Sequence, residues 1–490
     1  MSKHKINRIL LLTPLVAVLA SLGACTVGPD YVRPQMAGLP QGFKEMQDWK
    51  PAQPQELAMN GKWWEMFNDP ELNALIAQID ISNQNLAESA ASFRKAMALV
   101  QTARAEYSPS VGLSAGKTRS GSIVNGASQV KDTYTTSLTA TWELDVWGRV
   151  QRNVEANEAS AQASAADLAA TRLSAQALLA QDYLQLRVLD SQQRLLDDTV
   201  VAYQRSYDLT QNQYAAGIVA KSDVIQAQTQ LKTAQASALD NGVTRAQLEH
   251  AIALLVGQPA SAFSIKSMPL AAVAPPIPTG IPSMLLERRP DVASAERLVA
   301  AANANIGVAQ AAYYPSLTLS ASGGYQSTNG IANLLSLPSR VWSLGPSLSQ
   351  VVFDGGALRA ATKQAVASYD LAAATYKQAV LTAFQEVEDN LVALRILEQE
   401  AAVQNEALQS ARQAVTLITN QYKAGTVSYT SVVTAQATAL SSEISALTIL
   451  NRRMAASVLL TKALGGGWSE QNVMDMGRLN DQAELSKKAP

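Results

Sequence analysis

Apolar and polar positions alternate with a period of two in four stretches of the chain. Val111, Leu113 and Ala115 alternate with Ser110, Gly112, Ser114 and Gly116. Leu138, Ala140, Trp142 and Leu144 alternate with Thr139, Thr141 and Glu143, and Leu317, Leu319 and Ala321 with Thr318, Ser320 and Ser322. Trp342, Leu344 and Leu348 do the same among Ser343, Gly345, Ser347 and Ser349. Period two predicts strands with one apolar and one polar face. Gly/Ser/Asn-rich segments at Ser120–Ser128 and Ser327–Asn333 read as their loops, which gives two β-hairpins of roughly 10 to 13 residues per strand. Elsewhere the period lengthens. Neither Gly nor Pro occurs between Gly148 and Gly217, or between Gly356 and Gly425. Each gap permits an unbroken helix of about 65 residues, near 100 Å at 1.5 Å per residue. In the second, Val380, Phe384, Val387, Leu391 and Leu394 step by four and three, the seam of a coiled coil. Shorter helices are expected near Glu71–Glu106, Ala220–Val256, Asp291–Ala312 and Ser428–Leu464.

These elements are written twice. Tyr107-Ser108-Pro109-Ser110 matches Tyr313-Tyr314-Pro315-Ser316, and Arg187-Val188-Leu189 matches Arg395-Ile396-Leu397. Tyr214-Ala215-Ala216-Gly217 matches Tyr422-Lys423-Ala424-Gly425, and Leu255-Val256-Gly257 matches Ala463-Leu464-Gly465. From Arg187 onward the offset is constant, and that constancy marks an internal duplication. The expected organisation is a leader at 1–24, an N-terminal belt segment at 25–70 and a first repeat at 71–257. A Pro-rich linker at 258–282, a second repeat at 283–465 and a tail of the belt at 466–490 follow. Within each repeat the order is helix, hairpin, long helix, helix.

The hairpins constrain the assembly. Their length suits tilted membrane strands, but four strands cannot close a barrel and an open edge in lipid leaves backbone groups unsatisfied. Two copies would supply about eight strands and a lumen filled by side chains; three would supply about 12 and a lumen wide enough for water. The Ser, Gly and Thr faces suit the latter.

Composition narrows the chemistry. Among 490 residues, Lys+Arg 39 against Asp+Glu 40 gives a net charge of −1, without the basic excess of a nucleic-acid binder. With two His and one Cys, His-ligated and Cys-rich metal sites are excluded. Gly465-Gly466-Gly467 lacks the Lys-Ser/Thr of a P-loop. Carboxylates such as Glu386, Glu388 and Asp389, or Asp197 and Asp198, read as solvated helix faces. No catalytic constellation and no cofactor are expected. At the N-terminus Lys3, Lys5 and Arg8 precede an apolar run from Ile9 to Leu22, too short to span a bilayer. It ends in Leu22-Gly23-Ala24-Cys25, which resembles the lipobox of bacterial lipoproteins, with Cys25 the lipidated residue and Thr26 after it implying sorting to the outer membrane.

Several ordered motifs carry a wider resemblance. They are Cys25-Thr26-Val27-Gly28-Pro29-Asp30-Tyr31, Trp63-Trp64 with Phe67-Asn68-Asp69-Pro70-Glu71-Leu72, and Trp142-Glu143-Leu144-Asp145-Val146-Trp147-Gly148-Arg149. Glu287-Arg288-Arg289-Pro290-Asp291-Val292 and Phe353-Asp354-Gly355-Gly356 complete the set. Together they resemble the outer membrane factors of Gram-negative tripartite pumps, the TolC-like channel family, in its lipoprotein multidrug (NodT-type) branch. The resemblance implies a mainly α chain with a transmembrane β-barrel, trimeric, each copy adding two β-hairpins to the barrel and long helices to a coiled-coil α-helical barrel in the periplasm. It implies a passive, gated export duct for drugs or small toxic compounds, working with a periplasmic adaptor protein and an inner-membrane resistance-nodulation-division transporter. Alternatives are the duct of a type I protein secretion system and a pore-less, lipid-anchored periplasmic scaffold.

By the same resemblance the turns Ala216-Gly217-Ile218 and Ala424-Gly425-Thr426 dock the adaptor. Asp223 after the first turn and Tyr422 before the second match the family's closing link, with Tyr214 and Thr430 beside them. Where relatives carry a ring of Asp, this chain has Ser431 and Thr434, and where some carry a basic partner it has Val427. A hydrogen-bonded rather than ionic gate is implied. Asp223 or Ser222 could also serve as helix N-cap.

Overall fold

The structure is a computed structural model, and it describes residues 26–35, 42–45, 62–124, 127–270 and 288–468. Cys25, the leader, the inner part of the linker and the tail beyond 468 lie outside those residues.

Element by element the order is α1 (Pro70–Ser82), α2 (Gln84–Ala105), β1 (Ser110–Val124), β2 (Ala127–Leu144), α3 (Arg149–Ala215) and α4 (Lys221–Leu255). The second repeat gives α5 (Pro290–Ala311), β3 (Ser316–Ser327), β4 (Arg340–Ser349), α6 (Ala357–Lys423) and α7 (Tyr429–Ala463). Both long helices have 67 residues, and α4 and α7 have 35 each. The duplicated sequence thus gives matched lengths.

Two expectations need correcting. The helix expected over Glu71–Glu106 breaks at Asn83, whose backbone is extended (φ −68°, ψ 121°). Asn83 Oδ1 accepts from Leu86 N at 3.0 Å and so starts α2, while its Nδ2 donates to Leu255 O at 2.7 Å. The first hairpin is also longer than expected, with strands of 15 and 18 residues that take in most of the Ser120–Ser128 loop. The second keeps a long connection, in which single helical turns at Ile331–Asn333 and Leu337–Ser339 separate strands of 12 and 10 residues.

The chain divides into two compact units. One comprises residues 1–35, 92–164 and 294–377 and contains the sheet, whose order is β1-β2-β3-β4, antiparallel throughout. The two hairpins join through β2 and β3, so one hairpin from each repeat forms a single sheet with β1 and β4 at its edges. Helices α3 and α6 begin beside it with carboxylate caps. Asp145 accepts from Val150 N at 3.0 Å and Gln151 N at 2.8 Å, and Asp354 accepts from Gly356 N and Leu358 N, both at 2.7 Å. Those backbone donors hold the Asp354 carboxyl below the usual range. Residues 26–35 also belong here. The nearly buried Arg152 guanidinium donates to Val27 O, Gly28 O and Asp30, and Asn303 Nδ2 donates to Pro29 O at 2.9 Å. A Cβ on Gly28 would lie 2.5 Å from Gly307 Cα, which explains a glycine at that contact.

The other unit comprises residues 36–91, 165–293 and 378–490. Its main core gathers Trp63, Trp64, Phe67, Leu72, Ile76, Ile79, Leu179, Tyr183 and Leu184. Asp69 caps α1 through Glu71 N and Leu72 N, and accepts from the Tyr183 hydroxyl at 2.8 Å. Arg289, nearly buried, donates to Asp291, to Glu386 at 2.6 Å and to Ala463 O at 3.3 Å. Glu388 accepts from the backbone of Lys44 and Glu45. Glu386 and Glu388 therefore hold other segments of the chain and are not simply solvated. The seam from Val380 to Leu394 is buried, except for the half-buried Phe384.

Candidate pore wall and gate

In the first unit, register converts the period-two pattern into rows across the sheet. Leu144, Leu317 and Leu348 align, as do Val111, Ala140, Ala321 and Leu344, and then Leu113, Leu138, Gly323 and Trp342. These side chains share one face, and Leu113, Leu138, Trp342 and Leu344 are exposed on it, Trp342 to 75 %. Aromatic residues mark both limits. Tyr134 and Tyr325 stand near the hairpin tips, and at the helix side Trp147 stacks on Tyr314 at 4.7 Å and donates to Pro315 O at 2.8 Å. From Leu144 to Tyr134 the strand climbs about 33 Å at roughly 3.3 Å per residue, or about 25 Å of height at a tilt near 40°. That is the height of the apolar band of a membrane barrel. The opposite face aligns Ser110, Thr141, Ser320 and Gly345, then Gly112, Thr139, Ser322 and Ser343. Along these rows it is small, uncharged and hydroxyl-rich, suited to water. No helix among the described residues is long and apolar enough to cross a membrane.

In the second unit both helical hairpins reverse in the same way. Gly217 (φ 75°) and Gly425 (φ 76°) take the left-handed position. Gly217 N donates to Tyr214 O and Ile218 N to Gln213 O; Gly425 N donates to Tyr422 O and Thr426 N to Gln421 O. This six-to-one and five-to-two pairing is a Schellman turn. Ala216, Gly217, Ile218, Ala424, Gly425 and Thr426 are all exposed, Ile218 to 71 %.

Beside the turns the two repeats meet through uncharged contacts. The Tyr422 hydroxyl donates to Gln213 Oε1 at 2.9 Å, Thr430 Oγ1 to Gln226 Oε1 at 3.1 Å and Gln230 Nε2 to Gln436 Oε1 at 3.1 Å. Tyr422 packs edge-on against buried Tyr429 at 5.4 Å, with Ala227 and Val432. Burial, and then the nearby Asp223 charge, push the Tyr422 phenol up. Asp223 thus lies near Tyr422, but the tyrosine's proton goes to Gln213. Asp223 is not an N-cap either. The cap position is Ala220, and Asp223 sits in the first turn of α4, where a negative charge suits the helix dipole. Of the other sequence-derived residues, Thr434 bonds back to Thr430 O, Ser431 is half-buried, and Tyr214 is exposed. Gln213, Gln226, Gln230, Gln436 and Tyr429 were not singled out from sequence. Tyr429 opens α7 on the far side of the Gly425 turn from Tyr422, so their contact comes from the chain reversal and not from helix spacing. Among the described residues no cluster of three or more His, Cys, Asp or Glu could hold a metal ion.

A family model described as outer membrane efflux protein matches residues 75–258 and 281–466. The chain is 30% identical over 474 residues to a probable efflux pump outer membrane protein, TtgC, of Pseudomonas putida, covering 95% of this chain and 96% of that one. It is 31% identical over 469 residues to the pyoverdine export outer membrane protein OpmQ of Pseudomonas aeruginosa, covering 93% and 96%. Among solved structures, the outer-membrane channel OprN superposes with a TM-score of 0.84 at 30% identity, covering 91% of this chain and 100% of that one. The open-state MtrE outer membrane channel of Neisseria gonorrhoeae gives 0.80 at 26% identity, covering 91% and 99%.

Proposed function

The chain belongs to the outer membrane efflux protein family, and from that membership we propose that it is a passive, gated duct carrying drugs or small toxic compounds out through the outer membrane. The observation that carries this reading is the four-stranded sheet with two free edges, one lipid-like face and one hydroxyl-lined face. Such a sheet satisfies its edges in lipid only by joining other copies. Three copies give about 12 strands and a wet lumen, so the duct is a homotrimer. A lipid chain on Cys25 adds an anchor without spanning. Energy comes from an inner-membrane pump of the resistance-nodulation-division class. The exposed turns 216–218 and 424–426 meet a periplasmic adaptor, and the protein itself performs no catalysis. Asp223, Tyr422, Tyr214, Thr430, Ser431 and Thr434 form the gate region, held by neutral hydrogen bonds that a small displacement of either hairpin breaks.

Single-channel recording in a planar bilayer tests both duct and gate. The purified protein is expected to give discrete steps, and the Asp223→Ala/Tyr422→Phe double variant larger or more frequent openings. Identical conductance in both proteins removes the gate assignment, and silence in both removes the duct.

A further inference from the structure

Toward the hairpin tips the outward face of the sheet changes character. Beyond the row of Leu113, Leu138 and Trp342, Arg340 pairs with Tyr325, Lys117 with Tyr134 and Arg119 with Asp132. Lys117 Nζ lies 3.2 Å from the Asp132 carboxylate and 5.2 Å from the centre of the Tyr134 ring. Arg119 Nε reaches the same carboxylate at 3.7 Å. Two exposed cations on one strand face thus share one acid, a repulsive pairing that a further anion would relieve. Arg340 is exposed and has no ion pair among the described residues. The opposite end of this face carries no such charge. Leu144, Leu317 and Leu348 occupy it, and the nearby Arg149 is bound to Glu143 and Glu106. Positive charge is therefore concentrated in and just beyond the aromatic rows on the tip side, on the face turned away from the lumen.

We propose that Lys117, Arg119 and Arg340 form a basic collar that binds the phosphates of lipid headgroups in the leaflet around the hairpin tips. The proposal rests on the duct reading, which puts the tips on the cell exterior. Arginine supplies a planar two-pronged donor for phosphate oxygens and lysine a point charge. Tyr134, Tyr325 and Trp342 fix the depth at which a headgroup meets them. Lys117 and Arg119 lie on one edge strand and Arg340 on the other. When β4 of one copy pairs with β1 of the next, the three cations gather at each junction, and a lipid with two phosphates bridges neighbouring copies.

The test uses the purified protein in detergent, mixed with a bis-phosphorylated acylated glucosamine disaccharide or with the same lipid stripped of phosphate. Retained lipid is counted by native mass spectrometry after gel filtration. The Lys117→Gln/Arg119→Gln/Arg340→Gln variant is expected to retain at least about tenfold less phosphorylated lipid. Lys131→Gln, opposite Ser120 in the register and on the other face of the sheet, should retain the unmodified protein's amount. Equal retention by the triple variant, equal retention of the phosphate-free lipid, or displacement by the same concentration of inorganic phosphate overturns the proposal. Circular dichroism and trimer migration verify folding. If the triple variant does not fold, Arg340→Gln alone is measured the same way, with a smaller loss expected and no loss overturning the proposal. Bilayer conductance of the triple variant separates this idea from the duct: silence of the unmodified protein strikes at the duct, whereas normal conductance with lost lipid retention supports the collar.

Discussion

In the first repeat, Arg187 and Asp190 have side chains only 1% exposed, and they anchor a buried charge network. Arg187 donates to Asp190, Glu71 and Lys266 O, and Arg245 donates to Asp190, Glu249 and Ile265 O. Met268 N and Ser267 Oγ also donate to Asp190, so the network fastens the start of the inter-repeat segment onto α3 and α4. At the corresponding places in the second repeat stand Arg395, Glu398, Arg453 and Ser457. Arg395 is 26% exposed and bonded to Glu45, while Arg453 Nε and Ser457 Oγ have no hydrogen-bond partner among the described residues. Helix lengths and turn geometry were retained through the duplication, but the polar wiring was not. Backbone geometry follows from periodicity and glycine placement, whereas a buried charge survives only where all its partners do.

The largest expected effect follows from that difference. Arg187→Ala leaves Asp190 buried with one cation fewer and should cost about 3–5 kcal/mol. Arg395→Ala, at a more exposed pair, should cost about 1 kcal/mol or less. Melting of the detergent-purified protein measures both, and equal losses would break the contrast. A middle effect tests the symmetry of the turns. Gly217 and Gly425 have open space where a Cβ would go, so only their positive φ is penalised. Each Gly→Ala change should cost about 1–2 kcal/mol, the same at both turns; unequal melting shifts would mean that the tips carry different loads.

A pH-dependent effect concerns Asp182, which the second repeat replaces with Asn390. Burial pushes the Asp182 carboxyl up to about 6. Between roughly pH 4 and 6 the folded chain therefore holds a proton that the unfolded chain has released, and stability falls as pH rises through that window. Asp182→Asn should melt higher than the unmodified protein at pH 7, with the difference vanishing below about pH 4. A constant difference from pH 4 to 8 would exclude the titration.

What was legible in the sequence shared one property, that its cause was local. The long helices showed as stretches free of Gly and Pro, and the strands as alternation that register then turned into faces. Asn83 was hidden because its reason for ending a helix is Leu255 O, far away in the chain. Glu386 and Glu388 looked like solvent-facing acids because their partners, Arg289 and the backbone at Lys44 and Glu45, lie in distant segments. At the proposed gate, the turns were legible from their glycines. The glutamines that join the repeats were not, since an amide on a polar helix face carries no signal until its cross-repeat partner is placed.

The two unpaired edges of the sheet also have a genetic consequence. A ring closed by β1 of one chain against β4 of the next has as many seams as members, and one chain with a spoiled edge opens a seam in any ring it enters. Alleles that disrupt β1 or β4 should therefore be dominant over the normal copy in a cell expressing both. Alleles that prevent the chain from folding at all should be recessive, because their products never reach a ring.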